Sequence, residues 1–257
     1  MPVVVTGADT QVGRLVIDRL VGSGLDLRAT VATSAAVAAL VERGVKTAVS
    51  DLVDTERFGA VVENAHTVIH LRGGESGAIL AGIPDVLAAL PESGVERIVT
   101  LAPLTLPGHP SLDALRASGL DVVVLRVGVV LAPLSDPAAL QPKVLPRARP
   151  VAPLYVDDLA SAIVAADHLR DLHGYLEIDA VGRDVVTAAE LDRLLGTRRG
   201  WMERWRDRGM HTASAAYGPD GPVMLPLVGD RGVRLEQLLG VRPIALAAAV
   251  AAAVRSC

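Results

Sequence analysis

Cysteine is almost absent from this sequence: the only one, Cys257, is the last of its 257 residues. That excludes a disulfide within the chain and fits a reducing compartment, so a cytoplasmic protein is expected. Lysine is nearly as scarce, with Lys46 and Lys143 standing against 23 arginines. Aromatic residues make up only 2%, and three of the six (Trp201, Trp205 and Tyr217) fall in one late window. Excess positive charge is missing too. The net charge is −4 and the pI about 5.9, which argues against the basic footprint of a nucleic-acid binder. No apolar run reaches the ~20 residues that a bilayer-crossing helix needs. The longest late run, IALAAAVAAAV from Ile244, reads as a helix packed on the body, and no membrane association is expected. The first residues read as a buried strand with no basic region before them, so no secretory leader is expected. Zinc-ligand spacing, G-x-S-x-G and a P-loop are all missing. His66 and His70 flank a strand rather than share a helical face, so no metal site is expected.

What is present is apolar and alternating. Hydrophobic residues make up 51% of the chain, enough for a full core. The abundance of Ala, Val and Arg looks like high-GC bacterial coding. Short Val/Ile/Leu runs (PVVVTGA, LDLRATVA, VKTAVSDL, TVIHL, VERIVTLA, LDVVVLRVG, YLEIDAV) alternate with stretches of helical length (QVGRLVIDRLVGSG, SAAVAALVERG, FGAVVENA, AGIPDVLAALPES, LDALRASG, YVDDLASAIVAADHL, TAAELDRLLG). Continuous apolar strands alternating with helices predict an α/β fold: a Rossmann-like, doubly wound parallel sheet. Val12, Leu15, Val16, Arg19 and Leu20 mark one face of the first helix. Ser34 is the expected N-cap of the second, Pro91 interrupts the fourth, and Thr187 with Glu190 forms a capping box. The expected organisation is a core over residues 1–181, with a proline-rich substrate-side loop at 132–153, and a small C-terminal substrate-side lobe over 182–257. RRGWMERWRDRG reads as an amphipathic helix in that lobe, covering the substrate cleft or packing a partner chain; a homodimer is the expected oligomer, if any forms.

The first strand runs into Thr6-Gly7-Ala8-Asp9-Thr10-Gln11-Val12-Gly13-Arg14. A dinucleotide turn needs little side chain at three points: one for the turn, one for backbone approach to the pyrophosphate, one for close packing of helix on strand. The phosphates then meet free N–H groups at the helix N-terminus. Gly7 and Gly13 satisfy the first and last points, and Thr10 occupies the middle one.

With these residues the chain resembles the extended and atypical short-chain dehydrogenase/reductase family, including its epimerase/dehydratase and NmrA-like members, over roughly the first 195 residues. Thr6-Gly7 and Gly13 match its T-G-x-x-G-x-x-G turn. Ser50-Asp51-Leu52 resembles G-D-L after strand three, and VIHLRGG resembles V-I-H-L-A-G after strand four, with Arg72 in place of alanine. GVERIVTLA, SGLDVVVLRVG and YVDDLASAI resemble three further stretches in the family's order. The resemblance implies NADP or NAD as cofactor, contacted by Gly7, Thr10, Gln11, Val12, Gly13, Arg14, Asp51, Leu52, Leu71, Arg72 and Gly73, with Asp51 facing the adenine. Strand two ends in Val31, Ala32, Thr33 and Ser34 without the acid that holds ribose hydroxyls in NAD sites, while Arg14 and Arg28 are candidate partners of a 2′-phosphate. That leans to NADP.

The family's Tyr-x-x-x-Lys pair is missing. Four residues beyond Tyr155, Tyr175 and Tyr217 stand Leu159, Asp179 and Gly221, and the serines expected after strand five are Ala102, Pro103 and Leu104. Candidate substitutes are Thr105, His109 as a general acid, and Tyr155 as a donor to a substrate oxygen. Arg72, where the strand-four loop meets the nicotinamide, is a candidate for holding an anionic oxygen. Two functions remain open. One is an NAD(P)-binding enzyme acting on a small, biosynthetic, polyketide-like substrate with non-standard residues. The other is a cofactor-free lyase, cyclase or dehydratase, or an NmrA-like NADP sensor, on the same fold.

Overall fold

The computed structural model describes residues 2–72, 79–104, 108–131, 150–169, 171–194 and 233–255. The elements follow the expected alternation: β1 (Val3–Thr6), α1 (Gln11–Leu20), β2 (Leu27–Val31), α2 (Val37–Val41), β3 (Lys46–Val49), α3 (Thr55–Val62), β4 (Thr67–His70), α4 (Ile83–Ala89), β5 (Arg97–Pro103), α5 (Pro110–Ala117) and β6 (Asp121–Val127). The short strands β7 (Val130–Leu131), β8 (Pro150–Val151) and β9 (Leu154–Tyr155) come next, then α6 (Val156–Asp167), β10 (Tyr175–Ala180), β11 (Val186–Thr187) and α7 (Ala188–Leu194). The last two helices are α8 (Val233–Leu239) and α9 (Leu246–Arg255).

Seven strands form one sheet in the order β10-β6-β5-β4-β1-β2-β3. The pairs β1–β2, β1–β4, β2–β3 and β4–β5 are parallel. The chain builds outward from β1 through β2 to β3, then restarts beside β1 with β4 and builds the other way. The switch point of the sheet is therefore the gap between the carboxyl ends of β1 and β4, the place where open α/β sheets hold ligands. Right-handed crossovers put α1 and α2 on one face and α3 and α4 on the other.

Burial explains the apolar runs. Val3, Val4, Val5 and Thr6 are all buried, as a strand covered on both faces requires. Val4 and Val68 join a core with Phe58, Val62, Ile83, Val86, Leu112 and Leu115 from α3, α4 and α5. Each such side chain, fully buried, contributes roughly 1.5–3 kcal/mol relative to exposure. On α1 the buried stripe is Val12, Gly13, Val16, Ile17 and Leu20. Ile17 and Gly13 thus take the places that helical spacing gave to Leu15 and Arg19. Arg19 instead donates to the Ser161 hydroxyl of α6 at 3.1 Å.

Some local expectations change. Ser34 is not the N-cap of α2: it lies inside a 3-10 turn, Ser34–Ala36, and the caps before both segments use no side chain. Helix α4 ends at Ala89, ahead of Pro91 rather than kinked by it. Part of the proline-rich stretch, read as loop, pairs as the short strand β8 with β11. The capping box forms as expected: Glu190 Oε2 accepts from Thr187 N at 2.8 Å, and Thr187 Oγ1 accepts from Glu190 N at 3.2 Å.

The chain divides into two compact units. The first comprises Met1–Ala102, Leu106–Leu125 and Ala160–Ile178; the second comprises Pro103–Thr105, Arg126–Leu159 and Asp179–Cys257. The second has its own core, in which Leu246 and Ala249 of α9 pack with Leu104, Val129, Leu131, Val151 and Leu191. Asp184 accepts from Leu246 N at 2.7 Å and Asp158 from Ile244 N at 2.9 Å, which holds the start of the Ala-rich helix. Among the described residues no helix is long and apolar enough to cross a membrane. Trp201, Trp205, Tyr217 and Lys143 lie outside the described residues.

Candidate functional site: the turn at the switch point

The turn after β1 is held by its own residues. Gly7 has φ +67°, in the left-handed region, and a Cβ there would stand 3.0 Å from the backbone and Cβ of Arg72. Gly13 is tighter still: its Cβ would fall 2.1 Å from the Gly7 carbonyl oxygen. Both glycines are thus required by the packing of strand, turn and helix.

Thr10, in the place of the middle glycine, is the N-cap of α1. Its hydroxyl accepts from Gly13 N at 3.0 Å and donates to the Gly7 carbonyl at 2.7 Å. It therefore bonds the two glycines together. Gln11 and Val12 stand at the first helical positions, whose N–H groups have no intrahelical carbonyl within reach. Arg14 donates to the Asp9 carbonyl at 2.7 Å, so it stays beside the turn.

Beneath the turn lies a buried polar row that sequence reading did not single out. Thr30, Thr6, His70 and Thr100 are register partners across β2, β1, β4 and β5, and all four are fully buried. His70 Nε2 lies 2.9 Å from the Ile79 carbonyl, which can only accept, so Nε2 carries the proton. Nδ1 is then the acceptor for the Thr6 hydroxyl at 3.0 Å. The Thr6 oxygen in turn accepts from Leu71 N at 3.1 Å and Arg72 N at 3.4 Å. Burial holds the His70 pKa down to about 4, against the pull of the Ile79 hydrogen bond, and the Arg72 charge adds to the depression. The ring is neutral and fastens the ends of β1 and β4 to each other. The signal for it was present: a histidine inside the apolar run TVIHL must be buried and hydrogen-bonded.

Beyond β3, Leu52 has φ +73° although it is a leucine, and its side chain is fully buried in the core of the first unit. A non-glycine residue in this region costs roughly 1–2 kcal/mol. Burial of its side chain offsets that strain, and the turn leaves Asp51 exposed beside it. The Asp51 carboxylate accepts from Val53 N at 3.2 Å and Asp54 N at 3.4 Å, at the start of α3.

Two arginines lie on the elements expected for them, but their side chains are engaged elsewhere. Arg28 is the second residue of β2, at the amino end of the sheet. Its guanidinium donates to the Val61 and Glu63 carbonyls at 2.9 and 2.7 Å and pairs with Asp26 at 3.2 Å. It cannot serve a ligand at the carboxyl ends, which corrects its candidacy for a 2′-phosphate. The Arg72 side chain does not stay at the end of β4: it reaches the Val31 carbonyl at 3.3 Å and also the Ser50 carbonyl.

The catalytic candidates fall in different parts of the chain. Thr105 and Gly73 lie outside the described residues. His109, in the first unit, is the N-cap of α5, and its Nδ1 accepts from Ser111 N at 3.2 Å. Tyr155 of β9, in the second unit, pairs with Leu131 of β7 and packs against that unit's apolar core. No group of three or more metal-ligating side chains occurs among the described residues.

The turn and the α1 N-terminus have the features that suit a pyrophosphate, and the Arg72 side chain lies against the carbonyls that end β2 and follow β3.

No family model matches the chain, and no curated protein matches it by sequence. Solved structures match it in shape. A nucleoside-diphosphate-sugar epimerase from Staphylococcus aureus superposes with a TM-score of 0.71 at 18% identity, over 97% of this chain and 99% of that one. An NADPH-dependent quinone oxidoreductase from Escherichia coli, complexed with NADPH, gives 0.69 at 19%, over 97% and 98%. A triphenylmethane reductase from Citrobacter gives 0.70 at 16%, over 99% and 100%. The chain thus has the Rossmann-like fold of these solved structures.

Proposed function

We propose that the chain binds NAD(P) at the Gly7–Gly13 turn and acts on a small molecule, a biosynthetic carbonyl compound of polyketide-like kind, without a Tyr-Lys pair. The observation that carries the reading is the turn itself: two glycines locked by the Thr10 hydroxyl, at the switch point of the sheet, opening a helix whose Gln11 and Val12 amides have no intrahelical acceptor. The Gln11 and Val12 amides would hold the pyrophosphate, with Arg14 at the turn, and the Asp51-Leu52 turn would face the adenine. The solved quinone oxidoreductase with bound NADPH supports the same ligand class. When bound, a nicotinamide supplies or accepts hydride.

The chain's own groups would position the substrate and move its proton. His109 is suited to donate a proton through Nε2, because Nδ1 is committed to Ser111. Thr105 and Tyr155 are the other donors. Without an acid at the end of β2, NADP is the preferred form. A second reading, a cofactor-free lyase, cyclase or dehydratase or an NmrA-like NADP sensor, is favoured by the absence of Tyr-x-x-x-Lys.

Titration of the purified chain with NADPH and NADH, followed by fluorescence, separates these readings. Saturable binding with hydride loss to a panel of ketones supports the enzyme. Binding without turnover supports the sensor. No binding up to millimolar concentration, by the wild-type chain or by a folded Arg72→Ala variant, sinks the dinucleotide reading and leaves the cofactor-free one.

A further inference from the structure

Arg72 stands where a residue with a short side chain would leave the cleft open. Its Cβ lies against Gly7, 3.0 Å from where a Cβ on that glycine would be, so the side chain leaves directly over the turn. The sheet order here is β4-β1-β2-β3. Starting beyond β4, the side chain passes the end of β1. Its Nη1 donates to the Val31 carbonyl at the end of β2 (3.3 Å) and to the Ser50 carbonyl just past β3.

These two strand ends border the adenosine half of a dinucleotide site. The end of β2 is where an acid normally takes the ribose hydroxyls, and Ser50 immediately precedes Asp51-Leu52. Here the Val31–Ala32 peptide is engaged on both sides. Its carbonyl accepts from Arg72, and its N–H donates to the Asp9 carboxylate at 2.8 Å. The half-buried guanidinium is held by two neutral backbone carbonyls, and no ion pair to it occurs among the described residues.

The geometry points to Arg72 as an internal occupant of the adenosine half of the cleft: the nucleotide enters only when the guanidinium leaves Val31 and Ser50, so Arg72 lowers the affinity for every adenosine-bearing ligand. The inference rests on the dinucleotide reading above and deepens it. It makes the residue that departs from the family's alanine the one that sets cofactor affinity.

The test is calorimetric titration of the wild-type chain and Arg72→Ala with NADPH, NADH, ADP-ribose and 5′-AMP, with thermal melts of both proteins alongside. A gain of tenfold or more in Arg72→Ala for all four ligands is expected, including the two that lack nicotinamide. Arg72→Lys, which keeps the charge but loses the planar fork, gives a smaller gain in the same direction; it carries the test if the alanine variant does not fold. Equal or weaker binding of all four ligands by folded Arg72→Ala overturns the inference and leaves the dinucleotide reading intact wherever the wild type binds. Weaker binding of NADPH alone overturns it as well, by making Arg72 a 2′-phosphate contact. No binding of any ligand by either folded protein overturns both.

Discussion

The Thr6 hydroxyl lies 3.0 Å from Nδ1 of His70, and the contact joins the ends of the two strands between which the sheet order reverses. Because Nε2 is bonded to the Ile79 carbonyl, the ring has one tautomer in which both contacts are satisfied, and it is uncharged.

That neutrality makes stability depend on pH. Burial lowers the His70 pKa from 6.5 to about 4 in the folded chain. Above pH 6.5 the ring is neutral in both states and its contribution is fully present. As the pH falls toward 4 the unfolded chain takes up a proton that the folded one refuses, and the contribution is lost. The expected loss is on the order of 3 kcal/mol, read from urea unfolding at pH 7.5, 5.5 and 4.5. His70→Gln, which cannot titrate, flattens that slope; the same slope in the variant would show that other groups produce it.

Thr10 tests the turn directly. Losing its hydroxyl removes the cap on Gly13 N and the bond to the Gly7 carbonyl, so Thr10→Ala costs about 1 kcal/mol in urea unfolding. Thr10→Gly, which puts glycine at the middle point of the turn, costs only a few tenths of that. If alanine proved as stable as threonine, the capping account would be wrong.

Gly13→Ala is expected to destabilise the chain by about 2 kcal/mol or more, since the new Cβ would lie 2.1 Å from a backbone oxygen. Gly108→Ala, where a Cβ meets nothing within 4 Å, is the control and should change stability by less than about 0.5 kcal/mol. A Gly13 variant that loses nucleotide binding therefore reports first on the fold, which is why Arg72 is the better residue for probing the cleft.

The fold was legible because buried parallel strands write continuous apolar runs, and PVVVTGA, TVIHL and VERIVTLA all became central strands. The glycine spacing carried the turn for the same kind of reason: a close backbone approach leaves no room for a side chain. Thr10 looked like a defect in the motif, yet threonine before a helix is a standard N-cap, so the signal was there. Arg28 could also have been excluded, since the second residue of a strand lies at the end opposite the cleft. Arg72 is different. Its position in the loop after β4 could be read from the sequence, but no local pattern says which way a long, flexible side chain turns. Only the neighbouring carbonyls of Val31 and Ser50 decide that.

The most direct test of the account is amide hydrogen exchange of the wild-type chain with and without saturating NADPH. Slower exchange is expected in the segment from Gly7 to Arg14, above all at Gln11 and Val12, and in the turn from Ser50 to Asp54. Unchanged exchange in both segments would contradict the claim that this turn is where the chain holds a dinucleotide.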